Sequence, residues 1–161
     1  MGDVAARLTV NGTPRELVVP ANELLLDTLR ERLGLTGAKR SCDVQVCGTC
    51  TVLVDGEAVS ACTYLTCDAG GREVLTIEGF AEDPEFAEFE RAFVDGAALQ
   101  CGFCTPGFVL TLKALRDAGE LRSREDAIAG LDGNVCRCTG YKAIVAAAEA
   151  LVTSPEGAAR P

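Results

Sequence analysis

The sequence predicts an α+β fold in two parts, a small strand-rich unit with one helix followed by an all-helical unit. Three observations predict it. Asn11-Gly12 and Asp55-Gly56 are each flanked by runs rich in Val, Leu and Thr or Ala, the pattern of hairpins closed by two-residue turns. Beyond Phe80 the apolar residues recur at helical i, i+3, i+4 spacing instead. The cysteines, 9 in 161 residues, fall mainly into one group in each part.

Along the chain, LTV and RELVV pair about Asn11-Gly12, because Asn-Gly supplies the positive φ values of a tight turn. Leu26, Leu29 and Leu33 share a helical face, and Gly34 follows as a stop signal. TVLV and EAVSAC pair about Asp55-Gly56. Two hairpins make four strands, which with one helix suggest a small α+β fold, and REVLTI (Arg72 to Ile77) reads as a further strand.

In the second half Asp83-Pro84 opens a helix as N-cap and first-turn proline, with Phe86, Phe89 and Phe93 on one face. Thr105-Pro106 opens another, striped by Phe108, Leu112 and Leu115, with Gly119 beyond its end. Ser123 with Asp126 resembles a capping box before a short third helix. Thr139 caps a fourth, lined by Ile144, Ala148 and Leu151. These helices predict a compact four-helix-bundle-like unit. The boundary falls within residues 78–83 and is placed to give domains 1–79 and 80–161, the latter ending in a flexible tail, TSPEGAARP. Each half has about 80 residues, where a single core gives marginal stability, so a metal group tying distant segments would add the missing constraint.

Composition excludes several function classes. With 48% hydrophobic and 24% charged residues the chain can build a core. Its net charge of -9 opposes a phosphate backbone or an anionic membrane surface, and it has no Trp for base stacking, so no nucleic-acid partner is expected. The start, MGDVAARL, lacks the features of a secretory peptide, and no apolar run approaches the roughly 18 residues needed to span a bilayer. A cytoplasmic protein without membrane insertion is the expectation, and in a reducing compartment nine cysteines suit ligands better than disulfides. Histidine is absent, which removes Rieske-type sites, His-containing zinc sites and imidazole acid–base or nucleophile pairs. No residue stands out as catalytic.

Cys42, Cys47, Cys50 and Cys62 lie in CDVQVCGTCTVLVDGEAVSAC. C-x4-C-x2-C with a later fourth cysteine is the spacing of plant-type [2Fe-2S] ferredoxins. Three ligands come from one loop wrapped round the cluster, with backbone N–H groups offsetting the charge of its sulfurs. Gly48 suits so tight a wrap, and the Asp55-Gly56 hairpin returns the chain for Cys62. A structural zinc site is usually built from two separated C-x-x-C pairs and fits poorly. Cys101, Cys104, Cys136 and Cys138 form the second set, from QCGFCTPG and GNVCRCTGY. This spacing is less specific, and zinc stays open on spacing alone. A cluster is favoured because each pair is followed by an expected helix N-terminus, at Thr105-Pro106 and at Thr139, whose dipoles suit four thiolates with net negative charge.

CGTCTVLVDG, QCGFCTPG and CRCTGY together resemble the iron–sulfur subunit of the molybdenum hydroxylases, the group of xanthine dehydrogenase, aldehyde oxidoreductase and carbon monoxide dehydrogenase. The resemblance runs from about Leu8 to Leu151. It implies a β-grasp ferredoxin domain followed by a four-helix domain, each with one [2Fe-2S] cluster. It implies a molybdopterin-binding large subunit and an FAD-binding medium subunit as partners, with electrons passing from the pterin site through both clusters to FAD. The helical-domain cluster would lie nearer the pterin, and Gln100, before the first cysteine of that set, would contact the pterin cofactor. The sequence departs from the family at Gln45, where many members have glycine.

Other residues have plainer readings. Cys67 could replace Cys62 as ligand, but the hairpin and the resemblance favour Cys62, leaving Cys67 as a small buried hydrophobe. Lys39 and Arg40 read as a solvated charged turn rather than a docking site, Tyr141 as packing at the start of the last helix, and EDPEFAEFE as a polar helix face. Two rival functions are a free-standing two-cluster ferredoxin, distinguished by co-purification, and a zinc-stapled interaction module, distinguished by its lack of colour.

Overall fold

The computed structural model describes residues 2–152; the tail expected over 153–161 lies outside them. Strands β1 (Asp3–Val10) and β2 (Thr13–Pro20) form the first hairpin. A helical segment, α1 (residues 25–32), follows, α-helical over Leu25–Asp27 and π-helical over Thr28–Arg32. Strands β3 (Thr51–Val54) and β4 (Glu57–Ser60) form the second hairpin, and β5 (Glu73–Leu75) completes a sheet of order β2-β1-β5-β3-β4. β5 runs parallel to β1 and antiparallel to β3. It is shorter than REVLTI suggested, because Ile77 already opens a short helix, α2 (Ile77–Phe80).

The hairpin turns also hold the central strand. Asn11, at φ 50°, accepts the Thr76 N–H at 2.9 Å, and Asp55, at φ 51°, accepts the Glu73 N–H at 2.9 Å. Two turn residues thus pin the two ends of β5. Leu25, Leu26 and Leu29 are fully buried with Val19, Val52 and Val74, so α1 covers one face of the sheet. Below that face the Thr28 and Thr66 hydroxyls share a hydrogen bond of 2.7 Å, and Glu23 accepts from Thr28 at 2.6 Å and from both Arg32 nitrogens at 2.6 Å.

Helices α3 (Phe86–Asp95), α4 (Thr105–Asp117), α5 (Arg124–Gly130) and α6 (Lys142–Ala150) follow. Phe80, Phe89, Phe93 and Phe108 are buried with Leu112, Ile144, Ala148 and Leu151 in a second apolar core. Phe80 meets Phe86 and Phe89 edge to face, at 5.4 and 5.1 Å. Leu53 of β3 belongs to this core, so sheet and helices pack directly.

The starts of α3 and α6 differ from the expected ones, while α5 starts at Ser123 as expected. Asp83 caps the turn before α3, accepting the Glu85 N–H at 2.8 Å, and the helix begins after Glu85. Ser123 accepts the Asp126 N–H at 3.1 Å as N-cap of α5, but Asp126 returns its carboxylate to the Arg122 N–H at 3.2 Å, so the box is half made. Thr139 does not cap α6: the N-cap is Tyr141, and the Thr139 hydroxyl is turned to a cysteine sulfur instead. Among the described residues no helix is long and apolar enough to cross a membrane.

Candidate metal centres

The loop from Cys42 to Cys50 connects α1 to β3. Asp43, Gln45 and Gly48 take left-handed φ values of 58°, 59° and 67°. Alternating left-handed residues turn successive N–H groups inward, forming a concavity suited to negative charge. The Cys42 thiol is correspondingly lowered to about 6, first by the Val44 amide and then by that of Val46, which lies 3.4 Å from its sulfur. Gln45 occupies a conformation that glycine adopts without strain. Its amide oxygen accepts the Thr63 hydroxyl at 3.1 Å.

Cys50 precedes β3 and Cys62 follows β4. The register Thr51↔Ser60 brings the two ends together, and the Ala61 N–H reaches the Cys50 carbonyl at 3.4 Å. Burial pushes the Cys50 thiol up to about 11, and the Cys62 side chain hydrogen-bonds it. The Cys42 sulfur is bonded in the same way by Cys47, which also meets the Thr49 hydroxyl at 3.2 Å. The first set is therefore two pairs, Cys42 with Cys47 and Cys50 with Cys62. Cys67 stands apart on a 3-10 turn (Thr66–Ala69), half-buried, with its thiol 3.7 Å from the Ala21 carbonyl.

The second set is also paired. Cys101 and Cys138 lie 3.6 Å apart at the surface, and Cys104 and Cys136 hydrogen-bond further in. Burial pushes Cys104 up to about 12. Burial also opposes ionisation of Cys136, but the Thr139 hydroxyl at 3.1 Å and N–H at 3.4 Å, together with the Cys138 amide and the Cys104 side chain, outweigh it, and its thiol is lowered. Cys104 is the N-cap of α4, so one helix N-terminus does meet this set. The second expected dipole is not adjacent, because α6 begins four residues after Cys138. Its place is taken by the two donors of Thr139. Sequence reasoning missed Thr139 as a sulfur donor; the signal available was a hydroxyl residue directly after C-x-C.

The two sets meet. A cleft of about 350 Å³ is lined by all four cysteines of the second set and by Cys47 and Thr49 of the first. The Val135 N–H donates to the Cys47 carbonyl at 2.9 Å, joining the residue before Cys136 to a cysteine of the first set. The approach is close because a Cβ on Gly107 would stand 2.1 Å from the Gly48 carbonyl oxygen, and one on Gly48 would stand 2.5 Å from Asn134 Nδ2. Gln100 is exposed beside Cys101, next to the partly exposed apolar side chains of Leu99 and Phe103. Lys39 and Arg40 are engaged within the chain. Lys39 Nζ donates to the Thr36 and Gly37 carbonyls at 2.7 and 2.9 Å, and Arg40 pairs with Asp27 and Asp43.

The donor set fits [2Fe-2S] clusters. Each iron of such a cluster takes two thiolates, and both sets present two pairs of sulfurs. Among the described residues no three or more His, Cys, Asp or Glu side chains gather about one point to hold a single metal ion. The amides and hydroxyls that lower Cys42 and Cys136 are those that would offset the charge of thiolate ligands.

Comparison with known proteins agrees with this division. Residues 8–74 match the family model of the 2Fe-2S iron-sulfur cluster binding domain, which is β-grasp-like, and residues 76–149 match that of the [2Fe-2S] binding domain. The chain is 42% identical over 147 residues to the nicotinate dehydrogenase small FeS subunit of Eubacterium barkeri, covering 91% of this chain and 94% of that one. It is 40% identical over 148 residues to the xanthine dehydrogenase iron-sulfur-binding subunit of Escherichia coli O157:H7, covering 88% and 90%. A crystal structure of quinoline 2-oxidoreductase from Pseudomonas putida 86 superposes with a TM-score of 0.86 at 37% identity, covering 92% of each chain.

Proposed function

The chain belongs to the iron–sulfur small subunits of the molybdenum hydroxylases, the xanthine dehydrogenase and aldehyde oxidoreductase type, and from that premise we propose that it is the electron-transfer subunit of such a complex. It passes electrons from a molybdopterin site on a large subunit toward FAD on a medium subunit, while substrate chemistry belongs to a partner chain. A [2Fe-2S] cluster, when bound, supplies reversible one-electron uptake. Cys42, Cys47, Cys50 and Cys62 hold one cluster in domain 1–79, and Cys101, Cys104, Cys136 and Cys138 hold the other in domain 80–161. The second domain is read as bundle-like, from four helices sharing one core.

The observation that carries this reading is the arrangement of eight thiols as four close pairs in two sets joined by the Val135–Cys47 hydrogen bond. The chain's residues do three things toward the clusters. The cysteines supply soft donors. The Val44 and Val46 amides and Thr139 stabilise negative sulfur. Buried Cys50 and Cys62 keep one side of the first site from water. Exposed Gln100, with Cys101 and Cys138 beside it, is placed to meet the pterin across an interface. Eight cysteines held as cluster ligands and a ninth, Cys67, left as a thiol suit a reducing compartment, which supports a cytoplasmic location.

Metal analysis tests the proposal. The purified protein should contain about four irons and four inorganic sulfides, two of each per cluster. On reduction it should show two distinguishable paramagnetic centres, since an amide-lined loop and a Thr139-lined pocket are different surroundings. One iron pair accompanied by one zinc would overturn it.

A further inference from the structure

Tyr141 has a backbone conformation that its local sequence does not favour. Its φ of 67° and ψ of -26° put it in the left-handed region, costly for a bulky side chain and easy only for glycine. Glycine stands immediately before it, at Gly140, yet the left-handed bend continues through the tyrosine. Strain of this kind persists where surrounding contacts over-determine it.

Four contacts supply that constraint. The Tyr141 hydroxyl oxygen accepts the Cys136 N–H at 2.8 Å, and the hydroxyl donates to the Asn134 carbonyl at 3.4 Å. The ring meets Phe108 of α4 edge to face at 6.3 Å, and the Tyr141 N–H donates to the Thr139 hydroxyl at 3.3 Å. One phenol therefore clamps both ends of the segment 134–136. That segment has Asn134 buried against Gly48, the Val135 N–H on the Cys47 carbonyl, and Cys136 in the second set. Packing at a helix start explains the ring but not the phenol oxygen, which reaches back five residues to a cysteine amide.

We propose that Tyr141 is a positioning residue for the second cluster: its phenol holds the Cys136 amide away from the sulfurs and fixes the 134–136 segment that links the two sites. This rests on the two-cluster reading above. The Cys136 N–H is a dipole beside a thiolate ligand. While the phenol oxygen accepts it, its positive end is largely neutralised. Removing that oxygen leaves the dipole uncompensated beside the sulfur, favouring the form of the cluster that carries one more electron.

The test is a redox titration of the holoprotein in its complex, following both paramagnetic centres separately, for the wild type and Tyr141→Phe. The variant should keep its iron and sulfide. Its second cluster should become easier to reduce by roughly threefold to tenfold in equilibrium constant, which at 59 mV per tenfold for one electron is about 30–60 mV upward. The first cluster's potential should stay unchanged. Phe108→Leu, which removes the ring contact and keeps the phenol, should move neither potential. A Tyr141→Phe protein with both potentials at wild-type values and only a lower thermal midpoint overturns the proposal, leaving a packing role. If Tyr141→Phe loses iron, 4-fluorophenylalanine placed at position 141 alone keeps nearly the same shape with a far weaker, non-ionising acceptor in place of the phenol oxygen. It should raise the second potential, and an unchanged value overturns the proposal equally. A wild type without two [2Fe-2S] centres would instead remove the functional reading itself.

Discussion

Cys47 and Cys67 are both half-buried thiols in the same domain, and what separates them is what their sulfurs meet. Cys47 lies against Cys42 and Thr49, whereas Cys67 reaches a backbone carbonyl at 3.7 Å. Cys47→Ser should lose or badly perturb one cluster, since a hydroxyl lacks the soft donation of a thiolate. Cys67→Ser should keep full iron content and cost under about 1 kcal/mol, because the serine hydroxyl finds the Ala21 carbonyl as acceptor. Loss of a full iron pair in Cys67→Ser, read by iron assay, would overturn the ligand assignment. At this scale the grouping of the cysteines into two sets was legible because ligand spacing is written along the chain, whereas the role of Gln100 rests on the resemblance and stays a proposal. Thr139 was legible only as a helix cap. Its turn toward the Cys136 sulfur follows from α6 starting late, which no local pattern announces.

Turns and caps, at the scale of elements, were read well where the chemistry is local. Asn11-Gly12 and Asp55-Gly56 close the hairpins, and Ser123 caps α5. What local chemistry could not show is that Asn11 and Asp55 also hold β5, a contact across more than sixty residues in one case. Gly107 belongs to this scale. A methyl there would meet the Gly48 carbonyl at 2.1 Å, so Gly107→Ala should push α4 off the first-cluster loop. A cost of about 1–3 kcal/mol is expected, with altered spectra of both clusters rather than one. Calorimetry and the two paramagnetic signals check it, and a wild-type midpoint would show that the loop yields freely.

Glu23 gives the pH counterpart. Its side chain is 12% exposed, and hydrogen bonds first from Arg32 and then from Thr28, against the opposing effect of burial, hold its carboxyl below the ordinary range. A carboxyl lowered on folding contributes its full stabilisation above its unfolded value, about 4.3, and loses it as pH falls through the folded value. The gap in thermal midpoint between wild type and Glu23→Gln should therefore be constant from pH 8 to 5. A gap that shrinks within that window would mean that the folded protein does not hold the Glu23 carboxyl below its ordinary range.

For the whole molecule, the order of the two clusters is the testable matter. Gln100, Cys101 and Cys138 are exposed together, whereas Cys50 and Cys62 are buried. If the second cluster faces the pterin, Cys42→Ser in an assembled complex should leave substrate able to reduce the second cluster, with onward transfer strongly slowed. Cys101→Ser should trap electrons before the first cluster, which stays oxidised through a single turnover. Rapid-freeze spectroscopy follows each centre, and normal reduction of the first cluster in Cys101→Ser would reverse the order. Gln100→Ala should be milder, removing one interfacial hydrogen bond worth roughly 0.5–3 kcal/mol and no redox centre.

By itself the sequence determined the two-part α+β architecture, the hairpins, the apolar faces and the two cysteine sets, because turn preferences, periodicity and ligand spacing are short-range properties. Only the tertiary structure decided how the sets relate. β5 enters between β1 and β3, the sulfurs resolve into pairs, and Gly48, Gly107 and Asn134 let two loops approach until Val135 bonds Cys47. Those contacts join residues distant in the chain, and their geometry is set by the packing of two cores against each other rather than by any local preference.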